Sequence, residues 1–353
     1  MSKLEKALGL SLILGSVLSL STVAAADNSK QLEKADKLLA QGNAKAAVDL
    51  LHEIVRVDPD NAQVHMQLGA ALAAMATDDK YDTAIKEEEQ ALKLDPKSFG
   101  ARIILGHIYA NLNKGPEAIK ILKEACELKP TSYGAHRDLG IACQSAGKID
   151  DAINAFKIAV QLNGQKADAH FKLAVLLSKK GNTRDALSEA NDAVQLQPGN
   201  AEAQIALGNI FLESGDANAA VDPFKRALGI SKNNPSALSG LGAALAAQGR
   251  VDEGIENQKK AIRIFPGYLP AYVRLAELLS RQSKDKDAEQ VYKGALQIGP
   301  DDADVRTSYA KFLDKTGRKD DARAELKKVL EKSPHFTPAS DALAALEAQA
   351  KTK

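Results

Sequence analysis

Apolar and small residues recur three and four positions apart in two successive stretches of the unit 167–200. The first stretch, 169–177, gives a helix one buried face, and Gly181 interrupts the pattern before a second stretch at 186–196. Pro198 ends the second helix, because proline has no backbone N–H to donate. The pattern therefore predicts a hairpin of two helices, each about 14 residues or roughly 21 Å long.

The same hairpin is repeated along the chain at a spacing of 34 residues. With Ala167 as position 1, position 8 of nine successive units is small: Ala35, Gly69, Gly106, Gly140, Ala174, Gly208, Gly242, Ala276 and Ala310. Position 20 is also small throughout: Ala47, Ala84, Ala118, Ala152, Ala186, Ala220, Gly254, Ala288 and Ala322. Small side chains at both positions predict close approach of the two helices of each hairpin.

This spacing and these residues resemble the tetratricopeptide repeat, whose pattern has Leu-Gly or Leu-Ala at positions 7 and 8, Ala at 20 and 27, and Pro at 32. Leu-Gly stands at those positions in five units, for example Leu139-Gly140 and Leu207-Gly208. The resemblance implies an all-α fold, a right-handed superhelical solenoid of helix-turn-helix repeats. The tryptophan that this family has at position 4 is missing from every unit.

The register divides the chain into nine repeats and a C-terminal cap. The predicted repeats are 28–61, 62–98, 99–132, 133–166, 167–200, 201–234, 235–268, 269–302 and 303–336, followed by a capping helix and tail at 337–353. The first repeat is the least regular, as expected of an end repeat with one unpartnered side. In the capping helix we expect Ala339, Leu343 and Leu346 to face inward.

Two repeats depart from the pattern. The second is three residues too long, which predicts a longer connection at 76–82 and looser packing between its two helices. Glu88 would then reach solvent from between these helices, or else contact a partner. The sixth carries Pro223 where the second helix should run. Either Asp222-Pro223 starts that helix late, or Pro223 kinks it.

The N-terminus has the pattern of a secretory signal peptide. Two lysines in residues 1–6 precede an apolar run at 8–20, and Ala24-Ala25-Ala26 follows, so we expect cleavage after Ala26. The competing interpretation is an uncleaved anchor, because 7–26 carries no charge and could just span a bilayer.

Charge and composition exclude several classes of function. Without residues 1–26 the chain loses two lysines and one glutamate, which leaves 47 − 2 = 45 basic and 46 − 1 = 45 acidic residues. A neutral surface argues against nucleic acid as a partner and against a membrane patch after signal cleavage. We find no phosphate-binding loop, nucleophile elbow or zinc-protease motif, so we expect no enzyme, no cofactor and no metal site.

The histidines are candidate metal ligands and the two cysteines could form a disulfide, but the geometry of the repeats argues against both. His65, His136 and His170 share position 4, and equivalent positions of stacked repeats are too far apart to hold one metal, so packing is the better interpretation. Cys126 and Cys143 lie on adjacent antiparallel helices, roughly 9–10 Å out of step along their axes. We expect two buried free thiols, although an exported protein leaves a disulfide open.

What remains is recognition of another protein. In the family, the first helix of each repeat lines a concave face that binds partner peptides. The resemblance places there Met66, Ile103, Ile104, His107, Arg137, Ile141, Phe171, Val175, Ile205, Asn209 and Leu212. Many of these are apolar, which suits an extended or helical segment of a partner, although some could merely pack between neighbouring helices.

The sequence therefore predicts an exported, non-enzymatic scaffold that binds a peptide or protein segment in its concave groove, periplasmic in location. The alternative is a structural subunit of an envelope assembly, such as a polysaccharide-export or pilus-biogenesis complex, which would use the convex face or the ends. Nothing in the sequence identifies the partner.

Overall fold

A computed structural model describes residues 26–75 and 77–351, and the predicted signal peptide lies outside these residues except for Ala26. The described chain is all α-helical, which confirms the predicted fold class. The helices are α1 Ala26–Ala40, α2 Ala44–Val57, α3 Ala62–Ala74, α4 Asp78–Leu94, α5 Phe99–Asn111, α6 Gly115–Leu128, α7 Tyr133–Ser145, α8 Ile149–Leu162, α9 Ala167–Lys179, α10 Thr183–Leu196, α11 Ala201–Glu213, α12 Ala217–Ile230, α13 Pro235–Ala247, α14 Val251–Ile264, α15 Leu269–Arg281, α16 Asp285–Ile298, α17 Ala303–Lys315, α18 Lys319–Lys332 and α19 Thr337–Lys351.

Short polar residues begin the first helix of most repeats. The side chains of Asn61, Asn200 and Asn234 accept hydrogen bonds from backbone N–H groups of the first turn, as Ser98 and Ser132 do in two further repeats. The turn to the second helix needs a residue with positive φ. Glycine supplies it in most hairpins, with φ between 73° at Gly147 and 86° at Gly249.

The close helix approach predicted at position 8 is present in the structure. A Cβ built on Gly140 would lie 2.9 Å from the ring of Phe156, and one on Gly208 would lie 2.8 Å from the ring of Phe224. Both rings are fully buried. The hairpin therefore closes because a glycine on the first helix leaves room for a large side chain at position 24 of the second.

The second hairpin shows that the prediction for Glu88 was wrong. Helix α3 ends at Ala74 and α4 begins at Asp78, so the connection is no longer than the one between α5 and α6. The three extra residues lengthen α4 to 17 residues, against 14 in α6. The two helices are therefore tightly packed, and the Glu88 side chain is 0 % exposed against Gly69, where most other repeats place an apolar side chain.

Helix α12 resolves the question raised by Pro223. The helix starts at Ala217 with Asp216 as its N-cap, so it does not begin late. Pro223 lies inside the helix and is buried. Its missing N–H removes one intrahelical hydrogen bond at this point.

The described chain divides into two compact units, with the boundary between Leu176 and Leu177 in α9. Unit 1 has an apolar core that runs from Ala35 to Ile108 through the first repeats. In unit 2 the largest core cluster ends on α19, where Ala339 and Leu346 are buried and Leu343 packs against the same cluster. None of the helices described here has both the length and the apolar character that crossing a membrane requires.

Candidate protein-binding site

The predicted groove residues lie at very different depths. Met66, Ile103 and Ile104 in unit 1 are 2–3 % exposed, and Ile205 in unit 2 is 8 % exposed. These four side chains therefore pack between helices and offer a partner little surface. The accessible predicted residues are His107, Arg137, Ile141, Phe171 and Val175 in unit 1, and Asn209 and Leu212 in unit 2.

In unit 1 these residues lie on the surface formed by the first helices of successive repeats, which we call the helix-A face. Polar side chains connect neighbouring repeats at two places on this face. Gln67 donates to both carboxylate oxygens of Asp36 at 3.1 Å, and two repeats further along His107 Nε2 donates to Asp138 Oδ2 at 2.9 Å. Both contacts join position 6 of one repeat to position 9 of the preceding repeat, so the register recurs.

Asp138 is the buried centre of a larger network. The side chain of Arg137 donates to Asp138 Oδ1 from Nε at 3.0 Å and from Nη2 at 2.8 Å, while His107 occupies Oδ2. Burial alone would raise the pKa of the Asp138 carboxyl, but the charges and hydrogen bonds of His107 and Arg137 outweigh it and hold this pKa below its usual value. The structure thus contains a buried, ionised carboxylate that fixes two basic side chains.

The network continues onto α9. Arg137 Nη1 lies 3.7 Å from Asp168 Oδ2, and the Tyr133 hydroxyl donates to Asp168 Oδ1. Burial raises the pKa of that hydroxyl, and its hydrogen bond to Asp168 raises it further, so Tyr133 remains a donor. The arrangement holds the Arg137 guanidinium between two carboxylates while a third of its side chain stays exposed.

Apolar side chains stand beside this network. Ile141, on the same helix as Asp138, is 39 % exposed. Phe171 on α9 is partly exposed, and the ammonium of Lys172 lies 5.6 Å from the centre of its ring. Exposed apolar groups next to fixed charges give this face the mixed character of protein-binding surfaces.

Sequence reasoning found Arg137 and His107 but missed Asp138, Tyr133 and Asp168. A signal was present, because Arg137, Asp138 and His107 occupy positions 5, 6 and 9, all of which face the groove in the family. The sequence alone does not single out Asp138, because a lone acidic residue on a helix is usually solvated. Only the contact across two repeats shows that it is buried.

The histidines at position 4 have a structural role. Nε2 of His65, His136 and His170 donates to the backbone carbonyl oxygen six residues earlier, at 2.8, 3.0 and 3.1 Å respectively. Tyr272 makes the same bond at position 4 of the eighth repeat, where its hydroxyl donates to the Pro266 carbonyl at 3.0 Å. Position 4 thus ties each of these helices to the turn that precedes it.

Both cysteines are buried and free, as expected. Burial raises the pKa of the Cys126 thiol to about 11, and the nearby charge of Asp138 adds to the effect. The pKa of Cys143 is also raised by burial. Both groups are therefore unreactive thiols at neutral pH.

Unit 2 also has a helix-A face, and polar contacts cross it between repeats. Arg274 donates to the hydroxyl of Ser239 at 3.0 Å, and Lys315 donates to that of Ser280 at 2.9 Å. Ser239 is fully buried, and its carbonyl accepts from Gln258 at 2.8 Å. Arg274 and Lys315 thus join neighbouring repeats of unit 2.

Comparison with known proteins agrees with this architecture. Three family models match the chain: a tetratricopeptide repeat model at residues 144–210 and 281–349, a TPR repeat model at 208–249, and a second tetratricopeptide repeat model at 32–76 and 68–133. Together they cover most of the chain. It belongs to the tetratricopeptide-repeat proteins.

Solved structures share the fold. A tetratricopeptide repeat protein from Parabacteroides merdae is 18 % identical with a TM-score of 0.63, and the match covers 71 % of this chain and 99 % of that one. The APC/C hetero-tetramer Cut9–Hcn1 is 16 % identical with a TM-score of 0.53, over 97 % of this chain and 69 % of that one. YrrB, a TPR protein with an unusual peptide-binding site, is 20 % identical over 53 % of this chain and 95 % of that one, with a TM-score of 0.47. No curated protein matches.

Proposed function

We propose that this chain is an exported, non-catalytic scaffold that binds a segment of another protein on the helix-A face of unit 1. The observation that carries the proposal is the exposed Ile141, with the partly exposed Phe171, beside the network centred on Asp138. Repeat proteins of this kind use such extended faces for binding.

The network supports binding because it fixes the side chains in advance. Arg137 is bonded to the buried Asp138 and lies close to Asp168, so its guanidinium loses little conformational freedom when a partner arrives. Its exposed part can meet a carboxylate or a carbonyl of the partner. Ile141 and Phe171 would supply the apolar contact area.

A catalytic use of this face is disfavoured by the same contacts. The carboxylates of Asp138 and Asp168 accept hydrogen bonds from neighbouring side chains, and His107 donates to Asp138. These groups therefore hold the repeats together, and proteins of this class are typically non-catalytic. Export is part of the proposal because of the leader pattern in residues 1–26, and the periplasm is the compartment that we propose.

The binding proposal can be tested by affinity capture from the native envelope fraction after photo-crosslinking. The bait is the mature chain as wild type and as the double variant Phe171→Ala/Ile141→Ala. The control is Phe265→Ala, which removes an aromatic side chain that is 53 % exposed in unit 2. We expect a protein that wild type and Phe265→Ala retain and that the double variant loses at least tenfold.

Equal capture by all three baits would contradict the proposed site. It would favour the structural-subunit alternative, in which another face or the ends of the chain make the contacts. Circular dichroism of each variant shows whether the helices are intact, so that a loss of capture is not a loss of fold.

A further inference from the structure

The second helices of the repeats in unit 2 form another surface, which we call the helix-B side, and it contains a hollow of about 400 Å³. The hollow lies where α14, α15 and α16 meet. Its floor is apolar, formed by Ile262, Leu275 and Val291, and Lys259, Arg263 and Gly294 stand around it. Its volume is within the range of about 300–1,000 Å³ that is usual for ligand pockets.

Two other repeats have an arginine–glutamate ion pair at the equivalent positions. In the third repeat, Arg102 at position 4 binds Glu124 at position 26, with Nε and Oε2 3.2 Å apart. In the ninth repeat, Arg306 at position 4 binds Glu325 at position 23. A basic side chain on the first helix and an acid on the second thus cover the groove between them.

The eighth repeat has none of these charges. Its residues at positions 4, 23 and 26 are Tyr272, Val291 and Gly294. The hydroxyl of Tyr272 is bonded to the Pro266 carbonyl, and a Cβ built on Gly294 would meet nothing within 4 Å. The hollow therefore lies at positions where the eighth repeat lacks the ion pair that the third and ninth repeats have.

The rim of the hollow is positively charged. Lys259 is exposed and pairs with Glu256 at 3.0 Å on the surface, where such a bond contributes little. Arg263 is exposed, and within the described part of the chain it has no ion-pair partner. Glu289, also on α16, is bonded to Lys293 at 2.9 Å and to Arg318 at 2.8 Å. None of the residues that line the hollow is acidic.

We propose that this hollow is a second docking site, which takes one apolar side chain of an acidic segment of a partner protein. A phenylalanine or leucine of the partner would enter between Ile262 and Val291, and a neighbouring carboxylate would meet Arg263. Charge complementarity selects this occupant, because an apolar floor beside an unpaired guanidinium suits an apolar residue flanked by acids. The site uses none of the residues of the helix-A face in unit 1.

Binding of a defined peptide to the mature chain tests the proposal. The probe is a fluorescein-labelled heptapeptide of sequence SEDFDES with an amidated C-terminus, measured by fluorescence anisotropy. Two comparison peptides replace Phe by Ala, or replace the four acids by Lys. We expect wild type to bind the acidic Phe peptide at least tenfold more tightly than either comparison peptide.

Gly294→Leu fills the hollow and should weaken binding of this peptide at least tenfold. Gly229→Leu is the matched control, because Gly229 is also on a second helix of unit 2 with nothing within 4 Å of a built Cβ, and it should bind as wild type does. Arg263→Glu should remove the preference for the acidic peptide over the basic one. Circular dichroism establishes that each variant is folded.

Any of four results would overturn the proposal. They are no binding of the acidic Phe peptide up to 1 mM, equal binding by Gly294→Leu and wild type, equal binding of the basic peptide, and self-association of the chain that Gly294→Leu abolishes. The last, measured by sedimentation velocity, would assign the hollow to a second copy of this chain.

Discussion

Asp138 and Glu88 are both buried carboxyl groups in unit 1, yet their surroundings move their pKa values in opposite directions. Asp138 accepts from His107 and Arg137, and its pKa is lowered. Glu88 has no hydrogen-bond partner for either oxygen within the described residues. Burial, with a further contribution from the charge of Glu87, raises its pKa well above the usual value. Burial without a hydrogen-bond partner thus favours the protonated form of Glu88 in the folded chain.

This arrangement makes stability fall as pH rises. The unfolded chain releases the Glu88 proton above a pKa of about 4.3, whereas the folded chain keeps it. The unfolded state then binds fewer protons, so the free energy of unfolding should drop by roughly 1.4 kcal/mol per pH unit from there up to the raised folded pKa. Stability from this group is fully present below pH of about 4 and is lost as pH rises through the folded pKa.

Glu88→Leu should remove this dependence and stabilise the chain at pH 8, because leucine suits the space against Gly69. The measurement is urea denaturation between pH 4 and pH 9 for wild type, Glu88→Leu and Glu89→Leu. Glu89 is the control, since it is exposed and adjacent on the same helix. Parallel pH profiles for wild type and Glu88→Leu would refute the assignment of a neutral, buried Glu88.

At the scale of the helix pair, glycines of the two helices have opposite roles. Gly208 lies under the Phe224 ring and is necessary for contact, whereas Gly229 has open space around it. The 34-residue spacing predicts the contact role of Gly208 from sequence, because Gly208 is at position 8. It could not show how the second repeat accommodates three extra residues, since helix α4 takes them up at its own start.

Gly208→Ala should therefore destabilise the chain by about 1–3 kcal/mol, because the ring of Phe224 has to move. Gly229→Ala should be neutral or stabilise it by up to about 1 kcal/mol, since alanine favours helix more than glycine does. Chemical denaturation of both variants measures the difference. If Gly208→Ala proved as stable as Gly229→Ala, the packing of the α11–α12 hairpin would be looser than the structure shows.

At the scale of the whole molecule, the proposed export would determine which partners the chain can meet. The proposed leader carries a net positive charge, and its removal leaves the equal numbers of basic and acidic residues derived above. Helix α1 begins at Ala26, so cleavage after Ala26 would leave the helix almost complete. The repeats would then fold in the periplasm.

Intact mass and N-terminal sequencing of the protein from fractionated cells test this. We expect a mature chain that begins at Asp27 and is found in the periplasmic fraction. Ala24→Arg/Ala26→Arg should block processing, because signal peptidase requires small residues at these two positions. An N-terminus at Met1 in the membrane fraction of wild type would instead support the uncleaved anchor.

The sequence by itself determined the helices, the repeat register and the family, because these follow from spacing along the chain. The small residue at position 8 predicts close contact between the two helices of every hairpin, whatever the neighbouring repeats are.

Tertiary structure alone decided which side chains remain accessible. Met66, Ile103 and Ile104 fall on the predicted binding face yet are buried, while Asp138 and Glu88 are acids that the fold encloses. The hollow at Gly294 is lined by residues of three helices, α14, α15 and α16, so no single stretch of sequence reveals it. The solvent exposure of a side chain depends on residues that are distant in sequence and packed against it, and the local periodicity of the sequence does not encode those contacts.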